Sequence, residues 1–226
     1  EERLDVILSA WRSTGEFSWD GRYFQIPPRP LDIKPLQQPH PATFYAAFSP
    51  QSHEKAGALG LGLMTATAGV TLDKVVERVG LYRKALETAK PIGNNVNNTV
   101  CLTLLGHCAQ TEELARQQGT QPFIDYYVSA TAVYQEMVGR MRPDVDFSKL
   151  RDRYTFDHMT DTGMIIAGTP DTWCEKLTQL ESMGFDEVWI NFVGIDQEHV
   201  LSAIELLGRE VLKSFQTPDP VGGNGA

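Results

Sequence analysis

The sequence has few cysteines, few basic residues and no long apolar run. Its three cysteines, Cys101, Cys108 and Cys174, give neither an even set for disulfides nor a close pair for a metal ion. With 20 basic against 29 acidic side chains, the net charge is -9, which disfavours binding to nucleic-acid phosphates. No stretch approaches the roughly 18 apolar residues of a membrane span, and no signal-peptide pattern opens the chain. We therefore predict a reduced, cytoplasmic protein without nucleic-acid or membrane partners.

An initiator methionine and a start signal for the first helix are also missing. The chain opens Glu1-Glu2-Arg3, and helical spacing begins at once without a cap residue, at Leu4, Ile7, Leu8 and Trp11. We expect that part of the chain is missing upstream of Glu1. The alternative is a boundary placed at the edge of a domain.

From about residue 42, short apolar runs alternate with amphipathic stretches. The runs predict strands, at 42–48, 61–66, 99–105 and 187–193. The stretches predict helices, among them 51–59, 72–89, 170–183 and 199–215. Because apolar strands without polar alternation need cover on both faces, we expect an α/β fold with a parallel sheet. Four such units fit either an open sheet or half of a (β/α)8 barrel, since a full barrel has eight units in about 250 residues.

Other segments have their own signals. Asp20-Gly21 between aromatic runs predicts a hairpin turn, and the proline-rich stretch from Pro27 to Pro41 predicts an extended connector. Residues 120–167 are poorly periodic, apart from a helical stretch at 123–141. The end of the chain, 216–226, is rich in glycine and proline and is expected to be disordered.

The segment best suited to binding chemistry is Ala46-Ala-Phe-Ser-Pro-Gln-Ser-His53, which follows a predicted strand and opens a predicted helix. Ser49 is the natural N-cap, and Ser52 places a second hydroxyl on the same side one turn later. The free N–H groups and the positive dipole end of a helix suit a phosphate group. The alternative is an ordinary capped helix, which the residues alone favour because serine is a common cap.

Several polar and aromatic residues have plainer interpretations. The five histidines include no metal-binding pair. His53 is interpreted as a solvated first-turn residue, and the alternative is that it faces the neighbouring candidate phosphate site. A divalent cation is a weak alternative for the short charged segment Asp157, His158 and Asp161. Trp189 and Phe192 are expected to fill the core, and Cys101 and Cys108 are expected to be buried.

Short segments of this sequence follow the order found in one known family. The most diagnostic is Lys34-Pro-Leu-Gln-Gln-Pro-His-Pro41, after the helix and hairpin of residues 8–24. Further segments are 49–60, Tyr82-Arg83, Gly168-Thr-Pro170, Gly184-Phe-Asp-Glu187 and Leu207-Gly-Arg-Glu-Val211. No single motif is specific, but their order over residues 1 to about 215 resembles the luciferase-like monooxygenases.

The resemblance implies that residues 1–215 are part of a luciferase-like (β/α)8 barrel, its C-terminal half with about strands 5–8. It implies a bacterial flavin-dependent monooxygenase that uses reduced FMN and O2 to oxidise a small organic substrate. Alternatives within the same fold are a deazaflavin (F420)-dependent dehydrogenase or reductase, and a non-catalytic partner subunit. The full-length form is expected to be a homodimer or to be coupled to a flavin reductase.

The resemblance also assigns site residues. The family holds the flavin phosphate with hydroxyls after the fifth strand, which correspond here to Ser49 and Ser52, and with a backbone N–H near Phe48. The family's phosphate-binding arginine and catalytic residues lie in earlier strands, so both are expected upstream of Glu1. Residues 108–167 take the place of the family's mobile active-site loop, or form a helical insertion used for contacts. Residues 1–226 alone are expected to bind flavin weakly and to self-associate, because half a barrel leaves a strand edge exposed.

Overall fold

The computed structural model describes residues 2–138 and 154–215, which form two compact units. Unit 1 contains residues up to 65 together with 76–101, and unit 2 contains 66–75 together with the described residues from 102 onward. Within the described ranges, no helix is both long enough and apolar enough to cross a membrane. The tail expected to be disordered, 216–226, lies outside the described residues.

Unit 1 begins with helix α1, Glu2–Arg12, which buries Leu8 of the predicted apolar face, whereas Ile7 of the same face is 45% exposed. The predicted hairpin is confirmed, because β1, Glu16–Asp20, pairs antiparallel with β2, Gln25–Pro30. The first prolines of the expected connector therefore lie inside a strand. Strand β2 tolerates them because its sheet has only two strands, so that one of its edges needs no donors.

Two successive strand–helix units follow. Strand β3, Phe44–Ala46, pairs in parallel with β4, Gly62–Ala66, and helix α2, Pro50–Ala58, connects them. Helix α3, Leu72–Leu86, lies within the predicted stretch 72–89 and buries Val75, Val79 and Tyr82 at helical spacing. The parallel pairing confirms the predicted α/β class.

Helices α2 and α3 approach each other closely at Gly57. A Cβ atom added to Gly57 would lie 2.4 Å from the carbonyl oxygen of Tyr82 and 3.0 Å from the side chain of Ala85. Only glycine permits this distance between the two helices. One helical turn earlier in each helix, the same alignment brings Arg78 near enough to His53 for its charge to act on the imidazole.

Unit 2 holds most of strand β5, Val100–Cys108, whose first two residues belong to unit 1. Strand β6, Ile165–Gly168, pairs in parallel with the end of β5, and β7, Glu187–Asn191, also pairs with β5. Strand β6 was not predicted, because four apolar residues inside a poorly periodic segment are too short a pattern to be recognised.

Among the described residues of unit 2, the helices are α4, α5, α6 and α7, at Glu112–Val138, Phe156–Asp161, Pro170–Ser182 and Gln197–Leu206. Helix α4 contains the described part of the stretch predicted at 123–141 but begins eleven residues earlier and includes Pro122; the predicted residues 139–141 lie outside the described residues. Helix α6 starts as predicted, with Thr169 as N-cap and Pro170 after it. The last predicted helix is shorter, since one π-helical turn and one 3-10 turn follow α7.

Helices lie on both faces of β5, as predicted for an apolar strand. Leu105 belongs to the same buried cluster as Phe123 of α4. On the opposite face, a Cβ atom added to Gly106 would lie 2.6 Å from the ring of Trp173 of α6. Trp173 is fully buried, and its Nε1–H donates to the carbonyl oxygen of His107 at 3.1 Å.

Strand β7 differs from this prediction. Its burial alternates, and Trp189, which was expected to fill the core, is 47% exposed and donates its Nε1–H to Glu187. The prediction for Trp189 is therefore wrong. The apolar sequence of β7 does not indicate that one face of the strand is exposed to solvent.

Candidate functional site

The turn between β3 and α2 carries the residues predicted to bind a phosphate group. Ser49 is the N-cap of α2, with an extended backbone, and Pro50 is the first helical residue. The side chains of Phe48 and Ser49 are exposed, whereas Ser52 is half-buried. The structure therefore brings Phe48, Ser49 and Ser52 together at one accessible turn.

The two serines form a reciprocal capping box. Ser49 Oγ accepts a hydrogen bond from the Ser52 N–H at 3.1 Å. Ser52 Oγ accepts from the N–H groups of Ser49, at 2.9 Å, and Phe48, at 3.1 Å, and from the Ser49 hydroxyl at 3.2 Å. The capping role is therefore confirmed. Three donors also converge on one oxygen atom, which is the arrangement that an anionic oxygen requires.

A further donor at this helix start is the N–H of Gln51. Pro50 has no N–H, and the N–H groups of Ser52 and His53 are directed at Ser49. Within residues 2–138 and 154–215, no group accepts a hydrogen bond from the Gln51 N–H. This exposed residue adds an unsatisfied donor at the positive end of the helix dipole.

His53 lies beneath the turn and is fully buried, so its interpretation as a solvated residue is wrong. Its Nδ1 lies 2.8 Å from the Ser49 carbonyl oxygen, and its Nε2 lies 3.0 Å from Thr65 Oγ1. Burial lowers the pKa of His53, the contact with Ser49 opposes this shift, and the charge of Arg78 adds to it. A neutral ring with its proton on Nδ1 donates a hydrogen bond to the Ser49 carbonyl oxygen and accepts one from the Thr65 hydroxyl.

Arg78 is at this turn although the sequence did not indicate it. Its guanidinium Nη1–H donates to the carbonyl oxygen of Phe48 at 2.6 Å. Helix α3 carries a second arginine, Arg83, five residues further along the chain. The close contact between α2 and α3 at Gly57 places Arg78 beside this turn. No pattern in the sequence indicates that contact.

Unit 2 has another capped helix start, at α6, and a carboxylate occupies it. Glu112 Oε1 accepts from the Thr169 N–H at 3.0 Å and from the hydroxyls of Thr169 and Thr172 at 3.1 and 2.7 Å. Burial raises the pKa of Glu112, but these hydrogen bonds outweigh it and the net shift is downward. A phosphate at this helix start would meet a negative charge.

Substituting Glu112 tests this contact. The lowered pKa means that the stabilisation is present at neutral pH and is lost as the pH falls through the folded-state pKa, which lies below the ordinary value of a glutamate. We expect Glu112→Gln to lower the free energy of unfolding by about 0.5–1 kcal/mol at pH 7 and to have a smaller effect near pH 3. Urea unfolding at both pH values measures this. Glu113→Gln, in the same first turn of α4, is the control and should change little at either pH.

Two further clusters have no metal-binding geometry. Asp157 forms an ion pair with Arg116, whose guanidinium also lies 4.4 Å from the ring centre of Phe156. Among the residues that the structure describes, no group of three or more His, Cys, Asp and Glu side chains is placed to hold a metal ion.

Cys101 and Cys108 are buried as predicted, and burial raises the pKa of the Cys108 thiol to about 12, which keeps it unreactive.

The side chain of Gln118 links two histidines, His107 and His199. His107, buried on β5, has its Nε2 2.7 Å from Gln118 Oε1, and Gln118 Nε2 lies 3.3 Å from His199 Nδ1. The other ring nitrogen of His107 has no hydrogen-bond partner in the described part of the chain. Burial lowers the pKa of His107, so the ring is neutral.

Comparisons with known proteins agree with the predicted resemblance. The sequence profile of the luciferase-like monooxygenases matches residues 1–187. The oxygenase component of a flavin-dependent trigonelline monooxygenase from Acinetobacter baylyi is 26% identical over 220 residues, a match that covers 95% of this chain and 59% of the relative.

Solved structures share the fold. The oxygenating constituent of the 3,6-diketocamphane monooxygenase of Pseudomonas putida, solved with FMN, has a TM-score of 0.69 at 18% identity and covers 96% of this chain and 62% of that one. The F420-dependent tetrahydromethanopterin reductase of Methanopyrus kandleri has a TM-score of 0.67 at 18% identity, with coverages of 95% and 62%. The chain thus spans about three fifths of the length of these relatives. Because the profile covers well over half of its residues, the chain belongs to the luciferase-like monooxygenase family.

Proposed function

We propose that the protein containing this chain is a flavin-dependent monooxygenase that uses reduced FMN and O2 to oxidise a small organic substrate. Membership of the luciferase-like monooxygenase family supports the reaction class. In this proposal the chain supplies about strands 5–8 of a (β/α)8 barrel, in keeping with its coverage of about three fifths of its relatives. The catalytic residues are expected upstream of Glu1.

The exposed turn at Ser49 is the observation that carries the cofactor assignment. The N–H groups of Phe48, Ser49 and Gln51 and the two serine hydroxyls supply donors for a phosphate group. The Ser52 hydroxyl, which donates to the Ser49 carbonyl oxygen at 2.7 Å, turns outward to a phosphate oxygen. The carbonyl keeps the hydrogen bond from His53, so this rotation leaves no buried acceptor unsatisfied. Bound reduced FMN supplies the chemistry with O2, while these residues hold it in place.

The reduced flavin is proposed to come from a separate flavin reductase. The Acinetobacter baylyi relative is described as an oxygenase component, which supports a two-component system. Oxygen consumption by the complete protein should therefore require a reductase with NAD(P)H or a supply of chemically reduced FMN.

An F420-dependent dehydrogenase or reductase is the second candidate, and the likeness to the Methanopyrus kandleri enzyme favours it. Such an enzyme would bind a similar phosphate but transfer hydride without oxygen. The absorption spectrum of the cofactor bound to the complete protein separates the two candidates, together with the presence or absence of oxygen consumption.

Removing both serine hydroxyls tests the phosphate site. We expect Ser49→Ala with Ser52→Ala to weaken FMN binding by about 1.5–3 kcal/mol, because hydrogen bonds to a charged group are lost. Dissociation constants for FMN and for riboflavin, which lacks the phosphate, should be compared in the complete protein. Only the constant for FMN should rise, and Ser202→Ala, on an exposed turn of α7, is the control. An unchanged constant for FMN would leave the serines with the capping role alone.

A further inference from the structure

We propose that Arg78 is the cation of the phosphate site, so that this chain carries a guanidinium of its own for the cofactor phosphate. This inference rests on the proposed function, because it names a further residue of the same site. The resemblance places the family's phosphate-binding arginine upstream of Glu1. Arg78 comes instead from helix α3, on the other side of the Ser49 turn.

The position of Arg78 follows from the contact between α2 and α3. Gly57 lies against the Tyr82 carbonyl oxygen, and a step of four residues back along each helix leads to His53 and Arg78. The Arg78 guanidinium reaches Phe48, where its Nη1–H donates to the carbonyl oxygen at 2.6 Å. The N–H of the same Phe48 is one of the donors directed at Ser52 Oγ. The guanidinium is thus fixed to the residue that begins the turn.

The charge of Arg78 is not neutralised by a neighbour. No carboxylate among the described residues forms an ion pair with it, and buried His53 beside it is neutral. A guanidinium has five N–H donors in a fixed plane, and the Phe48 carbonyl uses one of them. The others remain for a second acceptor, and a phosphate dianion matches both their charge and their geometry.

A cation at this position predicts that the site binds a phosphorylated cofactor in preference to one without a phosphate group. Phe48, Ser49 and Ser52 supply neutral donors, each of which gives up a hydrogen bond that it already makes within the turn, so their net gain on binding a phosphate is modest. A half-buried cation next to them favours the charged ligand and makes its binding sensitive to salt. Arg78 should therefore contribute to the preference of the site for FMN over riboflavin about as much as the two serine hydroxyls do.

The test compares two arginines of one helix. Arg78→Gln removes the charge, Arg78→Lys keeps it without the planar fork, and Arg83→Gln is the matched control. Arg83 also donates from Nη1 to a backbone carbonyl, that of Asn98 at 2.9 Å, but at the other end of α3. Dissociation constants for FMN and riboflavin are measured for the complete protein at low and high salt, with circular dichroism to confirm that each variant is folded.

We expect Arg78→Gln to weaken FMN binding by about 10- to 100-fold, the range of one charge-assisted hydrogen bond, and to change riboflavin binding less than twofold. Arg78→Lys should fall between wild type and Arg78→Gln, and Arg83→Gln should match wild type. Equal weakening of FMN and riboflavin would show a structural role only, and an unchanged preference for FMN would overturn the inference. If Arg78→Gln keeps this preference while the serine variants lose it, only the inference fails. If wild type shows no preference, the proposed phosphate site fails with it.

Discussion

Replacing Trp173 with alanine should lower the free energy of unfolding by about 3–5 kcal/mol. The indole is fully buried against Gly106, at a distance that leaves no room for a side chain there. Truncation would open a cavity between α6 and β5 and would leave the His107 carbonyl oxygen without its hydrogen bond. Both losses act in the same direction.

A second tryptophan provides the control. Trp189 is 47% exposed, and Trp189→Ala should cost less than about 1 kcal/mol. Trp173→Phe keeps most of the volume but loses the N–H, so its cost should lie between those of the two alanine variants. Urea unfolding followed by circular dichroism measures all three without relying on tryptophan fluorescence. Equal costs for Trp173→Ala and Trp189→Ala would mean that the contact between α6 and β5 is not as described.

Alanine at Gly57 and at Gly80 should have effects of opposite sign. Alanine normally stabilises a helix by up to about 1 kcal/mol relative to glycine, and we expect this gain for Gly80→Ala, where an added Cβ meets nothing within 4 Å. At Gly57 the added Cβ would lie 2.4 Å from a backbone oxygen that cannot move aside. We therefore expect Gly57→Ala to destabilise the protein by about 2–3 kcal/mol.

The two glycines are matched because each lies in a helix of the same pair, α2 and α3. Thermal and urea unfolding of both variants gives the sign directly. A stabilising Gly57→Ala would contradict the close approach of the helices. It would also remove the reason for placing Arg78 beside the turn, since that alignment depends on the contact at Gly57.

Much of the fold could be predicted because local pattern and tertiary structure agree. The buried stripe of α3 and the Thr169-Pro170 start of α6 each lie within one element, so a short window of sequence reveals them. Strand β6 could not be predicted, because its four residues become a strand only by pairing with the end of β5. The exposure of Trp189 likewise depends on what covers β7, and the sequence of β7 does not contain that information.

The candidate site divides in the same way. Ser49 and Ser52 could be predicted, since N-capping is a local property of the chain at the start of a helix. His53 was assigned to the surface because its burial depends on Thr65 in the next strand. Arg78 was missed because its place at the turn depends on a contact between two helices. Sequence therefore identified the donors of the turn, whereas the cation and the support beneath it required the structure.

The capping box also bears on how fast and how tightly a ligand can bind. Ser52 Oγ accepts hydrogen bonds from three donors and therefore occupies the position that a ligand oxygen would take. The turn is therefore ordered before a ligand arrives, and binding does not have to supply the entropy of ordering it. However, a ligand must displace Ser52 Oγ from these donors, and this lowers the net affinity of the ligand for the turn. Such a turn favours exchange of a bound cofactor over permanent retention, as the proposed supply of reduced FMN by a separate reductase would require.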